Sequence, residues 1–180
     1  MGSVSPLPRV TLVLGGARSG KSLYSEGLFE NSGGGIYLAT AEARHADDLD
    51  GEMARRIAEH KSRRGPGWQT VEEPLDLAGA LMAHAGSAVL VDCLTLWLSN
   101  IMMAGRDVEV ELDALAGCLQ GLAGPVVLVS NEVGQGIVPD NALARSYMDN
   151  AGRMNQRLAA AANRVVFVHA GLPQILKDAQ

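Results

Sequence analysis

Residues 15–22, GGARSGKS, restrict what this chain can fold into more than any other stretch. They match the pattern G-x-x-x-x-G-K-[ST], with Gly15, Gly20, Lys21 and Ser22 in register. The apolar run RVTLVL (9–14) comes directly before them, and a segment with helical spacing (21–30) opens on Lys21. A strand that passes through a glycine loop into a helix can wrap its backbone around a phosphate. Glycines keep side chains out of the way, so that successive N–H groups and the helix start point at the anion. On this reading Gly15, Gly16, Ala17, Arg18, Ser19 and Gly20 form the cradle. Lys21 adds a point charge at the β- and γ-phosphates, and the Ser22 hydroxyl is a Mg²⁺ ligand. The bland alternative is an ordinary glycine-rich turn; the strand–loop–helix context argues instead for a magnesium nucleoside triphosphate.

Four further apolar runs follow: GIYLAT (35–40), AVLVDC (88–93), PVVLVSN (125–131) and RVVFVHA (164–170). They are apolar throughout rather than alternating, as strands covered on both faces are. Segments with helical spacing separate them, at about 47–62, 75–85, 94–104, 108–122 and 140–163. The expected fold is a P-loop NTPase-type, RecA-like α/β domain over residues 9–180, with a mostly parallel sheet and helices on both faces. A length of 180 residues suits one domain. With 47% hydrophobic and 19% charged residues the chain should not be disordered, and no apolar run approaches the roughly 20 residues of a membrane span. The start, MGSVSPLPRV, lacks the basic region and apolar core of a secretion signal, so a cytoplasmic protein with a loose leader at 1–8 is expected. Cys93 and Cys118 are the only cysteines, which argues against a disulfide framework or zinc site, and both are expected to pack as small apolar groups. A net charge of −5 gives no overall attraction for nucleic acid.

A metal-bound triphosphate normally needs a second acidic group at the end of a neighbouring strand, and Asp92 ends AVLVDC. In DDLDGEMARRIAEHKSRR (47–64), Leu49, Met53, Ile57 and His60 share one helical stripe, with Arg55, Arg56, Lys61, Arg63 and Arg64 around the histidine. Pattern alone favours a hydrogen-bonded packing role for His60. It also leaves open a neutral imidazole that attacks phosphorus while the surrounding cations offset phosphate charge. His45, His84 and His169 read as structural or solvated, with His169 at the end of the last strand. NEVGQGIVP (131–139) leaves the fourth apolar run at the end where ligands gather in open α/β sheets; it reads either as part of a site or as a structural connection.

Four blocks carry a family resemblance: GGARSGKS, YLATAEARHADDLDGEMARRIAEHKSRRGPGWQTVEEP, LVDCLTLWLSN and NEVGQGIVPDNALARSYMDNAGRMNQRLAAAANRVVFVHAGLP. Together they resemble the bifunctional adenosylcobinamide kinase/adenosylcobinamide-phosphate guanylyltransferases of cobalamin biosynthesis, over residues 9 to about 177. The phosphate loop is widespread, whereas the H-K…W-x-T-x-E-E-P and N-E-V-G-x-G-I-V-P…G-x-x-N-Q blocks in this order are particular to the family. The resemblance implies that adenosylcobinamide is phosphorylated with ATP or GTP, and that GMP then passes from GTP through a protein histidine to adenosylcobinamide phosphate. The family's guanylylated histidine falls on His60, before Lys61 and eight residues before Trp68. The resemblance further places Ala39, Thr40 and Ala41 beside the nucleotide, adds Lys61, Ser62, Arg63, Arg64 and Glu72 as nucleotide contacts, and keeps Asp92 with Ser22 at Mg²⁺. Asp92 stands where family members carry Glu, which shortens the carboxylate's reach. The resemblance also implies a homotrimer, with Arg153, Asn155 and Gln156 facing a neighbouring subunit. Two rivals are a monofunctional small-molecule kinase with a structural His60, and a nucleotide-dependent assembly ATPase.

Overall fold

A computed structural model describes residues 7–41 and 65–179. Residues 1–6 of the expected leader, His45 and the helical stripe at about 47–62 with His60 lie outside the described residues, as do Lys61, Ser62, Arg63 and Arg64.

Seven strands form one sheet: β1 (Val10–Gly15), β2 (Gly35–Ala39), β3 (Trp68–Glu72), β4 (Val89–Asp92), β5 (Val126–Asn131), β6 (Arg164–His169) and β7 (Leu172–Asp178). Their order across the sheet is β3-β2-β4-β5-β1-β6-β7. Every pairing is parallel except β6 with β7. The described helices are α1 (Lys21–Gly27), α2 (Leu77–Ala83), α3 (Leu94–Met103), α4 (Val108–Gly121) and α5 (Ala142–Ala161). This is the expected α/β architecture, and β5 stands between the loop-bearing β1 and β4, as in RecA-like members of the class. None of the described helices is long and apolar enough to cross a membrane.

The period-two alternation of strand side chains divides the core. Leu12, Leu14, Val91 and Leu128 face Leu81, Trp97, Leu98, Leu112, Leu115 and Leu158 of α2 to α5. Val13, Leu90, Val127 and Val129 face the other way, toward Phe29 just beyond α1. Both faces are therefore covered, which is why all of β1 is buried and why the interior strands are apolar without alternation. At roughly 1.5–3 kcal/mol for each fully buried aliphatic side chain, this two-sided burial is the main force holding the sheet.

The two edge strands do not resemble the interior ones. Strand β3 (WQTVE) is half-exposed, and β7 (LPQILKD) is mostly exposed. Pro173 lacks a ladder N–H, a lack tolerated at an edge. His169 consequently ends the sixth strand rather than the last. Helix α1 stops at Gly27 instead of running to 30, and a 3₁₀ turn at Glu30–Ser32 leads to Gly33 at φ +72°. Asn155 does not face a neighbour. It is 6% exposed, accepts from Ser130 Oγ at 2.7 Å and donates to the Asn131 carbonyl at 3.3 Å, whereas Arg153 and Gln156 are exposed.

Candidate active site

The loop from Gly15 to Ser22 is braced from two sides. A Cβ on Gly15 (φ +154°) would lie 2.3 Å from the Val168 carbonyl oxygen of β6, so only glycine fits. The Gly15 carbonyl accepts from Glu132 N at 3.0 Å, which ties the loop to the exit of β5. From the opposite side, the β6–β7 turn places Ala170 and Gly171 at positive φ, and Gly171 N donates to the Ser19 carbonyl at 2.8 Å. Gly20 (φ +99°) opens α1 with no side-chain cap, so no side chain competes for the first N–H groups of the turn. At Gly16 a Cβ would meet nothing within 4 Å: the loop keeps open space there, of the kind an anion needs.

Lys21 is 7% exposed, and its Nζ donates to the Gly16 carbonyl and, at 3.4 Å, to Ser19 Oγ. Burial lowers the pKa of its ammonium group, an effect opposed by Cys93 and Asp92. The cation thus folds back over the cradle, where its partners are weak acceptors that a phosphate would outcompete. The Ser22 hydroxyl donates to Asp92 Oδ2 at 2.9 Å, and the Tyr37 hydroxyl donates to the same oxygen at 3.0 Å. Contrary to the expectation of an acidic group on a strand next to β1, β5 stands between β1 and β4, and the carboxylate still reaches the loop serine because both sit at the carboxyl edge. A hydroxyl and a carboxylate form a hard oxygen pair of the type Mg²⁺ takes when substrate phosphates complete its shell.

The floor beside this pair is tightly hydrogen-bonded. Thr40 Oγ1 donates to the Cys93 carbonyl at 2.8 Å and accepts from Cys93 N at 3.0 Å. Asn100 Nδ2 donates to the Thr40 carbonyl (2.7 Å) and the Pro74 carbonyl (3.1 Å). Thr95 Oγ1 accepts from Asn131 Nδ2 at 2.8 Å, and the Thr95 carbonyl accepts from the Tyr147 hydroxyl at 2.9 Å. Burial, with the Asp92 charge, pushes the Cys93 thiol up, which keeps it protonated and unreactive near neutral pH. The Cys118 thiol is likewise raised by burial, to about 11, and donates to the Leu115 carbonyl.

Among the sequence-derived residues, the structure gathers Gly15 to Ser22, Asp92 and the Ala39–Ala41 strand exit at one edge of the sheet. Thr40 is fully buried with its hydroxyl bonded to Cys93, so it shapes the site from beneath. Ala39 and Ala41 are half-buried. Glu72 is exposed at the end of β3, in register with Ala39. His84 caps α2 and donates its backbone N–H to the Leu81 carbonyl; His169 is exposed. Tyr37 was missed by sequence reasoning: within GIYLAT its only signal is a hydroxyl-bearing ring in an otherwise aliphatic strand.

The family model for cobinamide kinase/cobinamide phosphate guanyltransferase matches residues 11–176, which include every strand beyond the first residue of β1 and all but the end of β7. The chain belongs to that family. Among its relatives is the bifunctional adenosylcobalamin biosynthesis protein CobP of Pseudomonas aeruginosa, 50% identical over 171 residues, covering 92% of this chain and 96% of the relative. The proteins named bifunctional adenosylcobalamin biosynthesis protein CobU of Salmonella typhimurium and Escherichia coli are each 40% identical over 178 residues, covering 89% of this chain and 96% of the relative. A family of cobinamide kinases and guanyltransferases acts on small molecules, in keeping with a phosphate loop set beside a polar floor.

Proposed function

We propose that this chain phosphorylates adenosylcobinamide and then converts the product to adenosylcobinamide-GDP. In the first step the terminal hydroxyl of the aminopropanol arm attacks the γ-phosphorus of ATP or GTP; the P–O bond to the nucleoside diphosphate breaks and the hydroxyl proton is released. In the second, a His60 nitrogen attacks the α-phosphorus of GTP and pyrophosphate leaves. A phosphate oxygen of adenosylcobinamide phosphate then displaces the histidine, which regains its place as a free imidazole. Splitting guanylyl transfer into two displacements predicts ping-pong kinetics.

The observation that carries this reading is the Ser22–Asp92 pair at the head of the Gly15–Ser22 loop, in a chain whose family match spans nearly all of it. The loop backbone and Lys21 hold and neutralise the phosphates. Ser22 and Asp92 would hold Mg²⁺, which supplies charge neutralisation at the transferring phosphoryl group. Lys61, Ser62, Arg63, Arg64 and Glu72 add nucleotide contacts, the basic residues against phosphate and Glu72 toward guanine N–H groups. We further propose that it works as a cytoplasmic homotrimer, with the exposed Arg153 and Gln156 of α5 in the subunit contact.

Incubation with α-³²P-labelled GTP and Mg²⁺ tests the covalent step. A labelled, acid-labile and base-stable protein band is expected, absent in His60→Ala and discharged by adenosylcobinamide phosphate. A band that persists in His60→Ala moves the nucleophile elsewhere, and no band with intact γ-phosphoryl transfer leaves a monofunctional kinase.

A further inference from the structure

We infer that Tyr37 is a positioning residue for the metal-binding carboxylate, its phenol holding Asp92 in the rotamer that meets Ser22; this rests on the reading of Ser22 and Asp92 as the metal pair. An aspartate at a strand exit has two side-chain torsions to fix, a rotational freedom that each donor to its carboxylate narrows. The Tyr37 donor narrows it further than Ser22 alone, since Ser22 of α1 and Tyr37 of β2 converge on one oxygen, Oδ2, from two different elements.

The phenol itself is immobile. Tyr37 is 5% exposed and packs in the cluster of Val13, Phe29 and Leu90. Its ring meets Trp68 edge-on with centroids 6.2 Å apart and planes at 80°, while Trp68 in turn stacks at a tilt on Phe29 at 4.9 Å. Sheet register explains the reach. Tyr37 lies opposite Leu90, and Asp92 is two residues further along β4, on the same face. Two residues of strand rise about 6.6 Å, close to the length of a tyrosine side chain, so the ring lies along the sheet and delivers only its hydroxyl to the polar edge. Trp68, Tyr37, Asp92 and Ser22 thereby form one line of contact from the β3 edge to the phosphate loop.

A buried tyrosine hydroxyl needs some acceptor, so a purely structural bond is the alternative, and metal affinity separates the two. The test is electron paramagnetic resonance titration of Mn²⁺ into the full chain with GDP, for the unaltered protein, Tyr37→Phe, Asp92→Asn and the double variant. Tyr37→Phe keeps the ring and should fold, with a melting temperature lower by a few degrees for the lost hydrogen bond and an unchanged GDP affinity in EDTA. Its Mn²⁺ affinity should fall about tenfold, the usual consequence of losing an outer partner of a metal ligand. The double variant should bind Mn²⁺ no more weakly than Asp92→Asn alone, because the phenol acts only through that carboxylate. Unchanged Mn²⁺ affinity in Tyr37→Phe, or an independent further loss in the double variant, would overturn the inference. Mn²⁺ affinity unchanged in Asp92→Asn would overturn the metal pair as well. Absence of corrinoid chemistry would strike only the proposed reaction and leave these affinities standing.

Discussion

Two strands deliver a carboxylate to the same edge of the sheet, with opposite results. At the exit of β4, Asp92 gathers Ser22 and Tyr37 onto one oxygen. At the exit of β5, Glu132 accepts from its own loop's Gly134 N at 2.7 Å, and its backbone N–H supports the Gly15 carbonyl. Strand β5 is the direct neighbour of β1, so proximity to the phosphate loop does not decide which acid reaches it. The two exits differ in the chain just beyond each strand. After β4 the chain turns at once into α3, with Cys93 bonded in both directions to Thr40, which fixes where Asp92 points. After β5 it enters a loop whose glycines let the carboxylate curl back on its own backbone.

The largest break in this contrast should come from Asp92→Asn. Removing the charge while keeping the shape should lower the rate of γ-phosphoryl transfer at fixed Mg²⁺ by about 100-fold, with partial recovery at high Mg²⁺. A Mg²⁺-dependence series of steady-state rates reads this directly.

A smaller effect is expected from the prop beneath the β5 exit. Tyr147→Phe removes the side-chain donor to the Thr95 carbonyl and should cost about 1 kcal/mol in chemical denaturation at neutral pH. Burial first, then the Cys93 charge, raises the Tyr147 hydroxyl from 10.0 to about 12. Between those values the unfolded chain has lost a proton that the native state keeps, so native stability falls as pH rises through this window. In Tyr147→Phe that portion of the fall should be missing, which a denaturation series from about pH 9 to about pH 12 can follow.

Glu132→Gln should do least. Glutamine can still accept from Gly134 N, and the backbone bond to Gly15 is untouched, so rates should stay within about twofold and stability within about 0.5 kcal/mol. A loss comparable to that of Asp92→Asn would erase the distinction between the two exits.

The parts of this edge differ in how legible they were in the amino-acid sequence. The five strands buried on both faces announce themselves as continuous apolar runs, and the phosphate loop by its pattern. Edge strands β3 and β7 bury one face at most, so WQTVE and LPQILKD carry no such run. Asp92 could be read as a strand ending, but its partnership with Tyr37 could not. That contact requires β2 to lie beside β4, a fact of strand order that residues 37 and 92 do not encode locally. Asn155 misled for a related reason: on a polar-looking helix it reads as surface, until Ser130 of the adjoining strand is seen to hold it.

The most direct test of the account is the fate of the γ-phosphoryl group. With γ-³²P-labelled ATP or GTP, Mg²⁺ and adenosylcobinamide, the label should appear in adenosylcobinamide phosphate, identified by its mass, with the unaltered chain and scarcely at all with Asp92→Asn. Label released only as inorganic phosphate, or transferred equally well by Asp92→Asn, would contradict it.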